Sequence, residues 1–175
     1  VRGRVRALLL PSPAPRPKDG LRRRSWSGAW LDRLWSHLGD EDLAYRHLGL
    51  ESALQRSLTH GAHVLGLLGA SGGLDDAASK APIVAVELPR PIFEDSSATG
   101  MGPHVLAALD FIGKVVPENR PLVVNLSYGS QGGPHNGTTL VELGIDQFVN
   151  SRSAVAPTAV VLPAGSRKGQ ESGRR

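Results

Sequence analysis

The sequence predicts an α/β domain built on a parallel sheet with helices on both faces. Three observations carry that expectation. The runs "PIVAVELP" (82–89), "PLVVNLSYG" (121–129) and "TAVVLPAG" (158–165) are continuously apolar rather than alternating, as strands buried on both faces require. Between them lie two segments whose apolar residues recur at helical spacing. The resulting order (strand, helix, strand, helix, strand) calls for parallel strands joined by right-handed crossovers.

Taken in order, residues 1–25 contain "LLLPSPAPRPKDGLRRRS", which is rich in Pro and Arg and has no sustained period. They read as a basic linker or disordered end. From Trp26 to about Ser57 the chain turns aromatic and acidic, and "WLDRLW" and "DEDLAYRHLGLESAL" are spaced like short helices. A further helix is expected from His60, where "HGAHVLGLLG" runs into apolar residues. The first strand, 82–89, is bounded by prolines. "PHVLAALDFIGKVV" sets Val105, Leu109, Ile112 and Val116 on one helical face, with Pro103 suited to the first turn. "NGTTLVELGIDQFV" offers Asn136 and Thr138 as caps and Leu140, Leu143 and Phe148 as the buried stripe. Residues 167–175 form a basic tail expected to be disordered.

Composition removes several function classes. The 175 residues suit one domain with a real core. Without cysteine there is no disulfide scaffold, thiolate metal site or cysteine nucleophile. The net charge of +4 conceals an uneven distribution. Residues 1–24 hold eight Arg or Lys against Asp19 alone, and 165–175 hold four against Glu171, so the middle of the chain is acidic. The basic ends lack interleaved aromatics, and no nucleic-acid partner is expected. The apolar run "ALLL" is far too short for a membrane span or signal core, so no membrane partner is expected either. Compartment stays undetermined. With Val1 first and Met101 the only methionine, a processed product or a piece of a longer chain is expected.

The carboxyl ends of the expected strands carry the distinctive residues: Asn125, Ser127, Tyr128 and Gly129 on one, Ala164, Gly165 and Ser166 on another. Ligands of α/β folds bind beyond such ends. His60 and His63 open the helix that precedes all three strands. Zinc catalysis needs three protein ligands, and a helical site favours His-Glu-x-x-His, which is absent, so no metal site is expected.

Over about residues 58–166 the chain resembles the subtilisin-like serine peptidases, or subtilases. "HGAHVLG" stands where that family has His-Gly-Thr-His-Val-Ala-Gly, "VVNLSYG" where it has an Asn-Met-Ser-Leu-Gly type strand, and "VVLPAGS" where a strand ends Ala-Ala-Gly-Asn. All three occur in the family's order and spacing. The resemblance implies a partial subtilisin-like peptidase domain over 26–166 and a polypeptide substrate. It implies that His60 is the general base, a task to which a near-neutral imidazole is suited. His63 would be its structural companion, and Gly61 would allow close backbone approach. Ser127, Tyr128 and Gly129 would pair with an extended substrate as an added strand. Ala164 and Gly165 would wall the specificity pocket.

Ser166 stands where the family has its oxyanion-hole Asn, and a hydroxyl donates from a shorter side chain. The triad Asp belongs at the end of an early apolar strand and the Ser in a Gly-Thr-Ser-Met-Ala type helix start. The only acid before Trp26 is Asp19, in "RPKDGL", and no Gly-Thr-Ser motif is present. The implied function is a portion of a serine endopeptidase of Ser-His-Asp mechanism with only the His present, inactive by itself. The alternative is a non-catalytic relative that binds peptides or partners. No cofactor is expected. Calcium, which many subtilases carry, has only the adjacent Asp75 and Asp76 to suggest it, and two neighbouring carboxylates do not make a site.

Overall fold

The run Val5–Pro11 forms the central strand, β1, of a three-stranded sheet. It pairs antiparallel with β2 (Arg23–Ser27), from Ala7 opposite Ser27 to Pro11 opposite Arg23. On its other edge it pairs parallel with β3 (Ile83–Val86), with a shift in register between Val5 and Ala7. The chain is described by a computed structural model over residues 5–11, 23–48, 60–69, 77–88, 100–127, 134 and 136–163. Its contacts divide it into two compact units, 1–88 and 89–175, where length alone suggested one domain.

Two findings in the first unit depart from the sequence reading. Both β1 and β2 lie wholly or largely within the segment read as a linker or disordered end. The apolar "ALLL" is the reason: flanked by Arg and Pro it has no visible period, yet it meets the unpaired edge of β3. The sheet is also mixed rather than purely parallel, because β1 and β2 are antiparallel.

The aromatic-acidic stretch forms the two expected short helices, α1 (Gly28–Leu38) and α2 (Glu41–Leu48). Ser27 ends β2 and caps α1, its hydroxyl accepting from the Trp30 amide at 3.3 Å. Gly39, with φ of 62°, takes the left-handed conformation that closes α1, and its amide donates to the Trp35 carbonyl. Asp40 then accepts from the amides of Asp42 and Leu43, at 2.8 and 3.3 Å, to begin α2. Trp30 lies between Trp26 and His47, with ring centroids 5.8 and 6.0 Å away. The helices α3 (His60–Gly69) and α4 (Ala77–Lys80) follow.

The second unit consists of α5 (Met101–Val115), β4 (Leu122–Asn125), α6 (Leu140–Ser153) and β5 (Thr158–Val161). The strands are parallel, with Leu122 opposite Thr158 and Asn125 opposite Val161, so β4, α6 and β5 form the expected βαβ crossover. Met101, Val105, Leu109 and Ile112 form the buried stripe of α5, as the spacing predicts. Burial of each such side chain is worth up to about 1.5–3 kcal/mol.

Helix α6 differs from its sequence reading in cap and in face. The cap is Thr139: its hydroxyl accepts from the Glu142 amide at 3.3 Å, and the Glu142 carboxylate accepts from the Thr139 amide at 2.9 Å. This is a reciprocal capping box, for which Thr-x-x-Glu is the sequence signature. Leu140 and Leu143 are exposed, at 80% and 52%. The inward face is instead Ile145, Phe148 and Arg152, together with two glycine contacts onto α5. A Cβ on Gly144 would collide with the Leu106 side chain, and one on Gly102 would come within 2.8 Å of Val141 Cγ2. A search for large apolar residues overlooks a face made partly of glycine.

Arg152 is buried in the last turn of α6 and holds the turn between α5 and β4. Its guanidinium donates to the carbonyls of Val116, Pro117 and Arg120, at 3.1, 3.0 and 3.4 Å. Val116 is the C-cap of α5, so the cation also meets the negative end of that helix dipole. The Phe148 ring lies 5.9 Å beneath the guanidinium.

Arg152→Met is expected to destabilise the chain by about 2–4 kcal/mol, because three carbonyls lose a charged donor. Arg152→Lys should recover only part of the loss, since an ammonium lacks the planar fork. Urea unfolding followed by far-ultraviolet circular dichroism measures both; equal stability of all three proteins would show that the clamp contributes nothing. Thr139→Ala should cost about 1 kcal/mol in the same assay.

Candidate active site

The three segments carrying the family resemblance each lie on a regular element or at its end. His60 is the first residue of α3, at the helix start where the sequence places it. His63, one turn later, is exposed, and its neighbours Val64 and Leu65 are half-buried. Gly61 was expected to admit a close backbone, but a Cβ there would meet nothing within 4 Å. Helix α3 belongs to the first unit, whereas Ser127 and the chain leading to Ala164 belong to the second.

At the carboxyl end of β4, Asn125 donates from Nδ2 to Ser127 Oγ at 2.6 Å, and both residues are half-buried. The Leu126 amide donates to the Val161 carbonyl at 3.0 Å, extending the ladder one step beyond β4. Main-chain groups of successive residues point to opposite edges of a strand. Leu122 and Leu126 face β5, so the N–H and C=O of Val123 and Asn125 face the other edge. That edge, among the described residues, has no strand partner.

The carboxyl end of β5 lies beside that of β4, and from it Leu162 and Pro163 leave as exposed residues. The structure thus brings Ser127 next to the segment that leads to Ala164, Gly165 and Ser166. Tyr128, Gly129, Ala164, Gly165 and Ser166 themselves lie outside the described residues, as do Asp19, Asp75, Asp76 and His135. The sequence marks Asn125 as one of the distinctive residues at a strand's carboxyl end, without assigning it a partner. Its bond to Ser127 was legible in principle, because i and i+2 project to the same face of extended chain.

β1, an apolar strand early in the chain, ends Leu9-Leu10-Pro11 without an acid. Among the described residues, no group of three His, Asp or Glu is placed to hold a metal ion. Nor is any described helix long and apolar enough to cross a membrane.

Substitution of Asn125 tests the local geometry. Asn125→Ala removes the donor to Ser127 Oγ and should cost about 0.5–1.5 kcal/mol in urea unfolding. No change would mean that the bond is offset by solvent.

Compared with protein-family models, with curated proteins and with solved structures, the chain gives no match.

Proposed function

We propose that this chain is a portion of a subtilisin-like serine endopeptidase domain and carries that domain's general base and part of its substrate-binding edge. The observation that most supports this is the β4 edge. Ser127 follows the carboxyl end of a strand of a parallel pair, and the main-chain donors and acceptors of Val123 and Asn125 in that strand are directed away from β5. An extended peptide docking there would gain main-chain hydrogen bonds as an added strand. The segment towards Ala164 and Gly165 emerges alongside, where a side-chain pocket is needed. His60 at a helix start agrees with the same reading.

In this reading His60 accepts the proton of a nucleophilic serine and returns it to the leaving amine. Ser166 occupies the position of the oxyanion donor. Neither the orienting Asp nor the nucleophilic Ser has a counterpart in these residues, so this chain binds but does not cleave. One observation favours the second reading, a non-catalytic relative acting as a peptide-binding module. An early strand is present as β1, yet Leu10 and Pro11 occupy the end where the family places its acid.

Two measurements test the proposal. A fluorophosphonate probe should label no serine above a heat-denatured control, because an unpaired His cannot generate an acyl-enzyme. Labelling would overturn the assignment of roles. Binding of extended peptides to the chain should weaken by about three- to tenfold in Ser127→Pro, which removes one main-chain donor just past the β4 edge. Undiminished binding in that variant would remove the edge from the site.

A further inference from the structure

Asn136 and Thr138 read as helix caps in the sequence, but Thr139 performs that task, and the two residues do something else. Asn136 is exposed, and its Oδ1 accepts from the Thr138 amide at 3.2 Å and the Thr138 hydroxyl at 2.6 Å. Between them Gly137 takes a φ of 83°, a conformation that glycine adopts without strain.

The four asparagines of the chain differ in one decisive respect: whether the amide of the next residue is engaged. After Asn119, the Arg120 amide donates to the Pro117 carbonyl at 3.1 Å. After Asn125, the Leu126 amide donates to Val161. After Asn150, Ser151 lies within α6, where amides donate along the helix. After Asn136, the Gly137 amide has no acceptor among the described residues, and a Cβ at Gly137 would meet nothing within 4 Å. Among the described residues, this is the one side-chain amide whose neighbouring main-chain nitrogen has no acceptor.

We propose that Asn136 is a self-modifying site, converting spontaneously to aspartate and isoaspartate. The Gly137 nitrogen, having lost its proton to water, attacks Cγ of Asn136. A carbon–nitrogen bond forms there, the bond from Cγ to Nδ2 breaks, and ammonia leaves with a proton from solvent. The product is a five-membered succinimide. Water then adds to either of its two carbonyls, reopening the ring to Asp or to isoAsp, with no oxidation or reduction. The two Thr138 donors on Oδ1 lie where negative charge develops in the first step, and they stabilise it. Conversion places a carboxylate in the crossover between β4 and α6, three residues before Thr139. In the isoaspartyl product it also adds a methylene to the main chain of that loop.

The test compares the full chain in mildly alkaline buffer, folded and in concentrated urea, by peptide mapping and isoaspartate-specific enzymatic methylation. In the folded chain Asn136 should convert to a mixture of Asp and isoAsp, at least about tenfold faster than Asn119, Asn125 or Asn150. Urea should change the rate at Asn136 by less than about tenfold while accelerating the other three, whose neighbouring amides it releases. Acceleration of Asn136 by more than that on unfolding would mean that the turn protects it, and the proposal fails. It fails equally if Asp forms without isoAsp, which is direct hydrolysis rather than ring closure.

Discussion

The clamp that Arg152 makes on the turn after α5 governs the second unit from the amino ends of its strands. Its guanidinium fixes Val116, Pro117 and Arg120, and so fixes where β4 begins. Because Arg152 also lies in the last turn of α6, it sets the point from which the chain turns into β5. The Leu122 amide then donates to the Pro157 carbonyl at 2.9 Å, and the strands start level. They are four residues long, so a level start gives a level finish about 13 Å away. The juxtaposition of Ser127 with the segment towards Ala164 is therefore set at the opposite end of the strands.

Helix packing holds this arrangement without large side chains at every contact. Gly102 and Gly144 let α5 and α6 approach through Val141 and Leu106, while a Cβ on Gly113 would only reach ordinary contact with Phe148. The contacts run in the same order along both helices, so α5 and α6 lie side by side and point the same way. Dense interiors leave no room for an added methyl at Gly102 and Gly144. The capping box at Thr139 begins α6 sharply, which leaves Asn136 to Thr138 outside the helix as a separate turn.

For the site, the sequence specified residue types in an order, and the structure bears on half of the geometry they need. That His60 should open a helix was legible because glycine, histidine and alanine pass into an apolar run. That Ser127 should follow the end of a strand was legible from the β-branched run before it. Which edge of β4 lies open was not legible, since pairing is a relation between segments distant in sequence. The bond from Asn125 to Ser127 joins near neighbours, but it depends on the chain staying extended past the end of β4.

The sequence by itself determined the elements whose physics is local. These are the apolar stripe of α5, the cores of the three expected strands, the short helices α1 and α2, and the start of α3. Each is written as a period or a cap within a few residues. Only the tertiary structure decided that "ALLL" becomes the central strand β1, because an apolar run without a period becomes a strand when an edge is available to pair with it. Only the tertiary structure turned Leu140 and Leu143 outward, because the space beside α5 is shaped for Gly144, Ile145 and Phe148. It alone gave Arg152 a buried place, since its two terminal guanidinium nitrogens reach the carbonyls of the distant turn Val116, Pro117 and Arg120 only when α6 packs on α5.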